Sequence, residues 1–408
     1  MAKITLFHDK AECCGCEACV NICPQKAIHM EEDEYGFRYS CIDASLCVEC
    51  GLCQRVCGYK QVEENNVPVS TYVACTLNTD IMKSASGGIF ASLAKSMIEQ
   101  GGIVYGVSME TISGELTPMH IGVEKLEDLI KLQGSKYVQS IMGDTYQQVK
   151  KLLMQGRKIL FSGTPCQVAG LKTYLGDVGN ENLLLVDIIC HGVPSVSFFQ
   201  SYVKELEKKL KGKITEFRFR DKSSGWGLVG KASYLTAKNQ EKSKLIYARE
   251  SSYYQLFLRG DIYRENCYSC KYASSNRPGD ITLGDYWGIE HEHPDYLVAN
   301  GGDFDEAQGI SCMIINTSKG KEYVKQVSDG LRLGTSTFEK VARKNGQLRY
   351  PTKSSERRQM ILDKYVNGGY QEVDAWFKRK NLIKMPFVFV LDRIPVAVKK
   401  KIRRMLKR

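Results

Sequence analysis

The sequence predicts an α/β protein with α+β elements, in two parts: a small cysteine-held module, then a larger α/β domain with an antiparallel extension. Three observations predict it. Ten of the sixteen cysteines fall within residues 13–57, strand-like and helical stretches alternate from about 70 to 210, and short β-rich stretches follow to about 320. A chain of 408 residues has room for two or three units. We read residues 1–66 as the module, 70–385 as the large domain and 386–408 as a basic tail, with VEENNVPVS (62–70) as the polar boundary.

The module rests on spacing. Cys13-x2-Cys16-x2-Cys19-x3-Cys23-Pro24 is followed by Cys47-x2-Cys50-x2-Cys53-x3-Cys57-Gly58, the bacterial ferredoxin run in two copies. Three thiolates two residues apart reach three corners of one cubane, and the fourth completes the other cluster. Cys13, Cys16, Cys19 and Cys57 are thus expected to hold one 4Fe–4S cluster, and Cys47, Cys50, Cys53 and Cys23 a second. Structural zinc uses paired Cys-x2-Cys units set far apart, which this is not. Cys14 and Cys41 fall outside the pattern and read as non-ligand thiols. A radical S-adenosylmethionine run would need a cysteine where Lys26 stands.

The large domain is read in order. SGGIFASLAKSMIEQGG (86–102) has helical spacing and IVYGVSM follows as a strand. DTYQQVKKLLMQG (144–156) is a helix, KILFSG (158–163) a strand, TPCQVAGLKTYL a helix, LLLVDIIC (183–190) a strand and SVSFFQSYVKELEKKL a helix. This alternation predicts a largely parallel sheet. ITEFRFRD, LVGKASYLTA, DITLGD and ISCMIINT predict antiparallel strands on or beside that sheet, with helices returning after 319.

Six cysteines remain after residue 70. Cys166 and Cys190 follow strands, at the carboxyl ends where ligands collect in an open α/β sheet. Cys267-x2-Cys270 would complete a four-thiolate set. A third 4Fe–4S cluster is the preferred reading, a zinc site on the same ligands the second, and unconnected core thiols the third. Cys75 and Cys312 lie in apolar runs and read as core. Ser84-Ala85-Ser86-Gly87-Gly88 precedes a helix, a natural phosphate seat, although Ser-Gly pairs also cap helices without ligand.

The set SASGG, QGSKYV, GTPCQVAGL, CHGVPS, CYSCKYA and GDITLGDYWG, spanning about 70–320, resembles the coenzyme F420 hydrogenase/dehydrogenase β-subunit family. The resemblance implies a flavin-binding domain: FAD beside iron–sulfur clusters, exchanging hydride with the deazaflavin F420 or another organic acceptor. It also implies FAD-binding roles for Ser86, Gly87, Gly88, Gly134, Ser135, Lys136, Tyr137, Thr164 and Gln167. Fused N-terminal ferredoxin modules occur in that family.

Among other polar residues, His191 is the candidate proton or hydrogen-bond donor at flavin or substrate, a structural loop histidine being the alternative. Asp280 and Asp285 are expected to cap turns. Arg218, Arg220, Lys222 and Trp226 are read either as contacts to an anionic substrate or as solvated edge-strand residues.

Charge narrows the partners. Residues 393–408 carry eight basic and no acidic residues, leaving +3 of the net +11 on the rest of the chain. Without a polybasic body no nucleic-acid partner is expected. The apolar–basic tail is read as a solvated helix, or as a peripheral contact at the inner membrane face. With neither a secretory h-region nor an apolar run of about 20 residues, the chain reads as cytoplasmic, where thiols stay reduced.

The expected function is an iron–sulfur flavoprotein oxidoreductase coupling hydride exchange to one-electron transfer, with a redox carrier such as ferredoxin or a partner oxidoreductase subunit. The alternatives are a non-catalytic relay subunit, or a reductase in a biosynthetic pathway such as polysaccharide assembly.

Overall fold

The computed structural model describes residues 4–60 and 66–394. In the module, strands β1 (Ile28–Glu32) and β2 (Arg38–Ile42) form an antiparallel hairpin. Each cysteine run curls through two left-handed residues before entering a short helix. Gly15 and Glu17 (φ 66° and 63°) precede helix Ala18–Ile22, and Glu49 and Gly51 (55° and 73°) precede Leu52–Arg55. Glu17 and Glu49 bear the Cβ penalty of that conformation, so both copies are wound alike whatever the side chain. Residues 61–65 of the expected boundary lie outside the described residues. Asn66 then exchanges backbone hydrogen bonds with Arg277.

The large domain centres on an eight-stranded sheet. Its strands in chain order are β3 (Ser70–Thr76), β4 (Ile103–Ile112), β5 (Glu115–Val123), β6 (Ile159–Gly163), β7 (Leu183–Ile188), then, after an excursion, β11 (Ile281–Asp285), β12 (Ser311–Ile315) and β13 (Leu331–Ser336). They lie side by side as β13-β3-β12-β11-β7-β6-β4-β5. The excursion is a separate antiparallel sheet of β8 (Gly212–Arg218), β9 (Val229–Thr236) and β10 (Glu241–Tyr247). The expected helices form at Ile89–Glu99, Thr145–Met154, Pro165–Leu175 and Val196–Leu210.

The sheet is less parallel than the alternation predicts. β4, β6, β7 and β11 run parallel at its centre, but both flanks are antiparallel. DITLGD is β11 and pairs parallel with β7, so it belongs to the central sheet and not to the antiparallel extension. Helices do return after 319, at Ser318–Gln326 and at Arg358–Asn381, which breaks at Gly369 (φ 64°). Cys75 and Cys312 sit buried in β3 and β12, as core residues. No described helix is long and apolar enough to cross a membrane. Of the tail, residues 395–408 lie outside the described residues.

The module is seated on the large domain by buried polar contacts. Arg264 donates from Nε to the Cys13 carbonyl (2.8 Å) and from Nη1 to the Arg38 carbonyl (2.8 Å), its guanidinium 3.9 Å from the Tyr39 ring centre. The buried Glu17 carboxylate pairs with Arg38 and accepts from the backbone N–H groups of Met142 and Gly143. Tyr272 donates to the Gly58 carbonyl (2.7 Å) and Tyr59 to those of Asn266 and Ser269. Such fully paired polar groups give the contact a single register.

Candidate cofactor cavity and cysteine sites

The module gathers its eight spaced cysteines into two groups. Cys23, Cys47, Cys50 and Cys53 line one cavity of about 340 Å³, closed by Ile28, Ile42 and Leu52. Cys13, Cys16, Cys19 and Cys57 form the other. Burial first, then the charges of the other members, pushes the Cys19 and Cys57 thiols up. These are the two interleaved sets that the spacing predicts. Cys50 is exposed, whereas Cys16 is buried against the large domain.

A second cavity, about 2350 Å³, opens above the carboxyl ends of the central strands. Cys166, Cys190, Cys267 and Cys270 all line it, brought from two strand ends and the 3-10 turn Glu265–Ser269. Burial and the neighbouring thiols push Cys190 up to about 12 and Cys270 to about 11. Cys166 goes the other way, to about 7: the Cys14 thiol faces it, and Thr164 Oγ1 lies 3.2 Å from its sulfur. It also occupies the first turn of helix Pro165–Leu175, where a thiolate is favoured. The thiols surround a space, not a point. Among the described residues no three His, Cys, Asp or Glu side chains gather closely enough for a single ion.

Cys14 is the residue that spacing misses. It is buried, lines the cavity and lies against both Cys16 and Cys166. One apolar core encloses Cys14 and Cys16, with Cys19, Cys57, Cys166 and Cys270 packed against it. Gly170 explains the closeness. It follows Cys166 by one helical turn, a rise of about 6 Å, and a Cβ there would stand 2.9 Å from Cys16 Sγ. The only sequence signal for Cys14 is its tandem position beside Cys13.

The glycine loops also meet at this cavity. Ser86, Gly88, Gly134, Ser135, Lys136, Tyr137, Thr164, Gln167 and His191 line it. Gly87 does not line it; it packs behind, where a Cβ would lie 2.4 Å from the Ala74 carbonyl oxygen. Gly88 (φ 81°) caps helix Ile89–Glu99 with no side-chain bond, so the first-turn N–H groups are open towards the cavity. Thr164 and Gln167 are occupied differently: they form the capping box of helix Pro165–Leu175. Gln167 Nε2 also donates to Ser140 Oγ (2.9 Å), which bonds His120 Nδ1. Burial lowers His120 to about 4, so this ring is neutral.

Charge on the cavity wall is uneven. Lys136 Nζ donates only to the carbonyls of Lys131 and Gln133, and desolvation lowers its pKa to about 7. Arg220 is buried and bonds Asp285, the Tyr137 hydroxyl and the Ala85 carbonyl. Lys222 donates to the carbonyls of Ile81, Ser86 and Gln308, stapling the SASGG loop, so it is not a solvated edge residue. Arg218 is solvent-facing and pairs with Glu216. Trp226 stacks on Trp287 and donates to Asp285. Desolvation lowers His191, which opens onto the cavity as a neutral imidazole.

Asp280 ties strands together and does not simply cap a turn: it accepts from Leu185 N–H and from Thr317. Nearby, fully buried Asp187 pairs with Arg277 (2.6 Å). Arg277 also donates to the carbonyls of Tyr272 and Ile188, behind Cys270 and Cys190.

A cysteine-rich module seated on an α/β domain, with thiols of both in one core, is the architecture of an iron–sulfur oxidoreductase-like protein. Residues 156–341 match the family described as the C terminus of the coenzyme F420 hydrogenase/dehydrogenase beta subunit, and residues 12–60 match the 4Fe–4S dicluster domain. The chain belongs to the coenzyme F420 hydrogenase/dehydrogenase β-subunit family, with a 4Fe–4S dicluster domain ahead of the family domain. An uncharacterized protein of Methanocaldococcus jannaschii is 24% identical over 191 residues, covering 39% of this chain and 52% of that protein. The chain thus spans about half the length of that relative. A 7Fe ferredoxin of Hydrogenibacillus schlegelii is 34% identical over 67 residues, covering 16% of this chain and 80% of the ferredoxin. A chain of the F420-reducing [NiFe] hydrogenase complex from Methanosarcina barkeri is 17% identical, with a TM-score of 0.44. That similarity covers 76% of this chain and 97% of the other.

Proposed function

We propose that this protein is an iron–sulfur flavoprotein oxidoreductase that binds FAD in the large cavity. In this reading Cys166, Cys190, Cys267 and Cys270 hold a third 4Fe–4S cluster. The module's two clusters sit on Cys13, Cys16, Cys19 and Cys57, and on Cys47, Cys50, Cys53 and Cys23. When bound, FAD would exchange a hydride with an organic substrate, coenzyme F420 or another acceptor, and the clusters would carry its electrons singly. The carrying observation is the shared core, in which the cavity's Cys166 and Cys270 abut the module's Cys16.

The donor sets fit these groups. Four thiols around a space suit a cubane, which takes its ligands at four corners, better than one tetrahedral zinc ion. The open helix end at Gly88 and the desolvated Lys136 supply N–H groups and a cation for a pyrophosphate. Gly134 and Ser135 continue that rim, and the Tyr137 ring, stacked 4.5 Å from Phe257, offers an apolar wall. Neutral His191 would give or take a proton at its ring nitrogen beside the substrate. The second cysteine group faces outward, with Cys50, Leu46 and Val48 exposed, and is the place for a redox carrier or a partner oxidoreductase. A cytoplasmic setting, where thiols stay reduced, goes with this reading.

The test is flavin binding after anaerobic reconstitution. One FAD per chain is expected, and no retained flavin would end the flavin reading. Lys136 must be charged to pair with phosphate and loses its proton as pH rises through about 7. FAD affinity is therefore expected to fall above pH 7, by at most about tenfold per unit. Lys136→Met should bind more weakly at pH 6 and lose this dependence. Titration of the flavin absorbance against pH measures both.

A further inference from the structure

We propose that helix Met385–Arg393 and the basic segment after it form a docking face for an anionic lipid surface. The helix buries none of its residues. Leu382, Ile383, Phe387 and Val390 are 72, 82, 70 and 62% exposed, and Phe389 and Leu391 about half. Soluble surfaces scatter such residues singly; six within ten positions form a patch.

The patch is held outward. Asp392 pairs with Arg249 and Arg393 with Glu250, just beyond β10. The Arg393 guanidinium also covers the Tyr247 ring, 4.8 Å from its centre. These contacts pin the polar end of the helix to the domain and leave its apolar side chains without a described partner surface.

Charge decides the occupant. Lys378, Arg379, Lys380 and Lys384 precede the helix, and residues 393–408 carry eight basic and no acidic residues. Asp392, the one acid in 382–408, is neutralised by Arg249. A second copy would set this positive charge against itself, and a nucleic acid would leave the phenylalanines in water. An anionic bilayer satisfies both: apolar side chains enter the acyl boundary while Lys and Arg meet the headgroup phosphates. The inference does not depend on flavin or on the third cluster.

The test uses the full chain, purified anaerobically, with vesicles of phosphatidylcholine alone or mixed with phosphatidylglycerol. Co-sedimentation is expected with the mixed vesicles, weakening with salt, and little with the neutral ones. Phe387→Asp/Val390→Asp, at exposed positions, should reduce binding at least about tenfold with the iron content unchanged. Lys399→Gln/Lys400→Gln/Lys401→Gln should reduce it about a hundredfold. The proposal is overturned by absent or equal sedimentation with both vesicle types, or by variants that bind like wild type. It also falls if gel filtration shows a dimer that Phe387→Asp/Val390→Asp splits while vesicles bind neither form.

Discussion

Arg277→Ala is expected to be the most damaging single substitution in the large domain. Asp187 is fully buried, and its carboxylate accepts from Arg277, Thr282 Oγ1 and Gly279 N–H. Removing the guanidinium leaves a buried charge short of its counter-ion, which costs about 3–5 kcal/mol. The damage should also reach the thiols. Arg277 holds the Tyr272 and Ile188 carbonyls, each two residues from a cavity cysteine, so Cys270 and Cys190 lose their common anchor. Anaerobic denaturation midpoints and iron content measure the two effects. Arg277→Met/Asp187→Leu, which removes both charges, should recover much of the stability but not the position of the thiols. Equal loss in the single and double variants would contradict the electrostatic account.

Gly170→Val should act on the opposite side of Cys166. The substitution drives a branched side chain towards Cys16 Sγ, 2.9 Å from the added Cβ, and the Tyr146 hydroxyl, 3.1 Å away. Overpacking of this kind costs about 1–3 kcal/mol. The larger consequence is functional, because the helix carrying Cys166 must separate from Cys16. We expect far-ultraviolet circular dichroism to be retained, the module to become more sensitive to protease, and electron passage between cavity and module to slow sharply. Stopped-flow reduction of the module's absorbance reads the last. A variant that transfers electrons like wild type would show that this contact is not the route.

What the sequence reveals follows from the range of the constraint. Two copies of a four-cysteine run are legible because ligand spacing is local, and the helices because their apolar periods are complete. β5 is not legible: Pro118 and Gly122 interrupt GELTPMHIGV, features tolerated because β5 is an edge strand. The direction of β11 is equally hidden, since a short apolar run reads the same in a parallel or an antiparallel pair. Lys222 resembles a surface cation until the fold brings three carbonyls around its ammonium. Cys14 falls off the spacing and shows its place only when helix Pro165–Leu175 packs on the module. Cys166, Cys190, Cys267 and Cys270 can be read as a set from strand ends and a Cys-x2-Cys pair. Their junction with Cys16 cannot, because it depends on how two separately coded units dock.

The central claim is that the cavity's four thiols hold a cluster continuous with those of the module. Iron and sulfide per chain, measured on anaerobically purified wild type and on Cys267→Ser/Cys270→Ser, test it most directly. About twelve irons falling to about eight in the variant, with the module's spectrum intact, is the predicted result. About eight irons in both would contradict it.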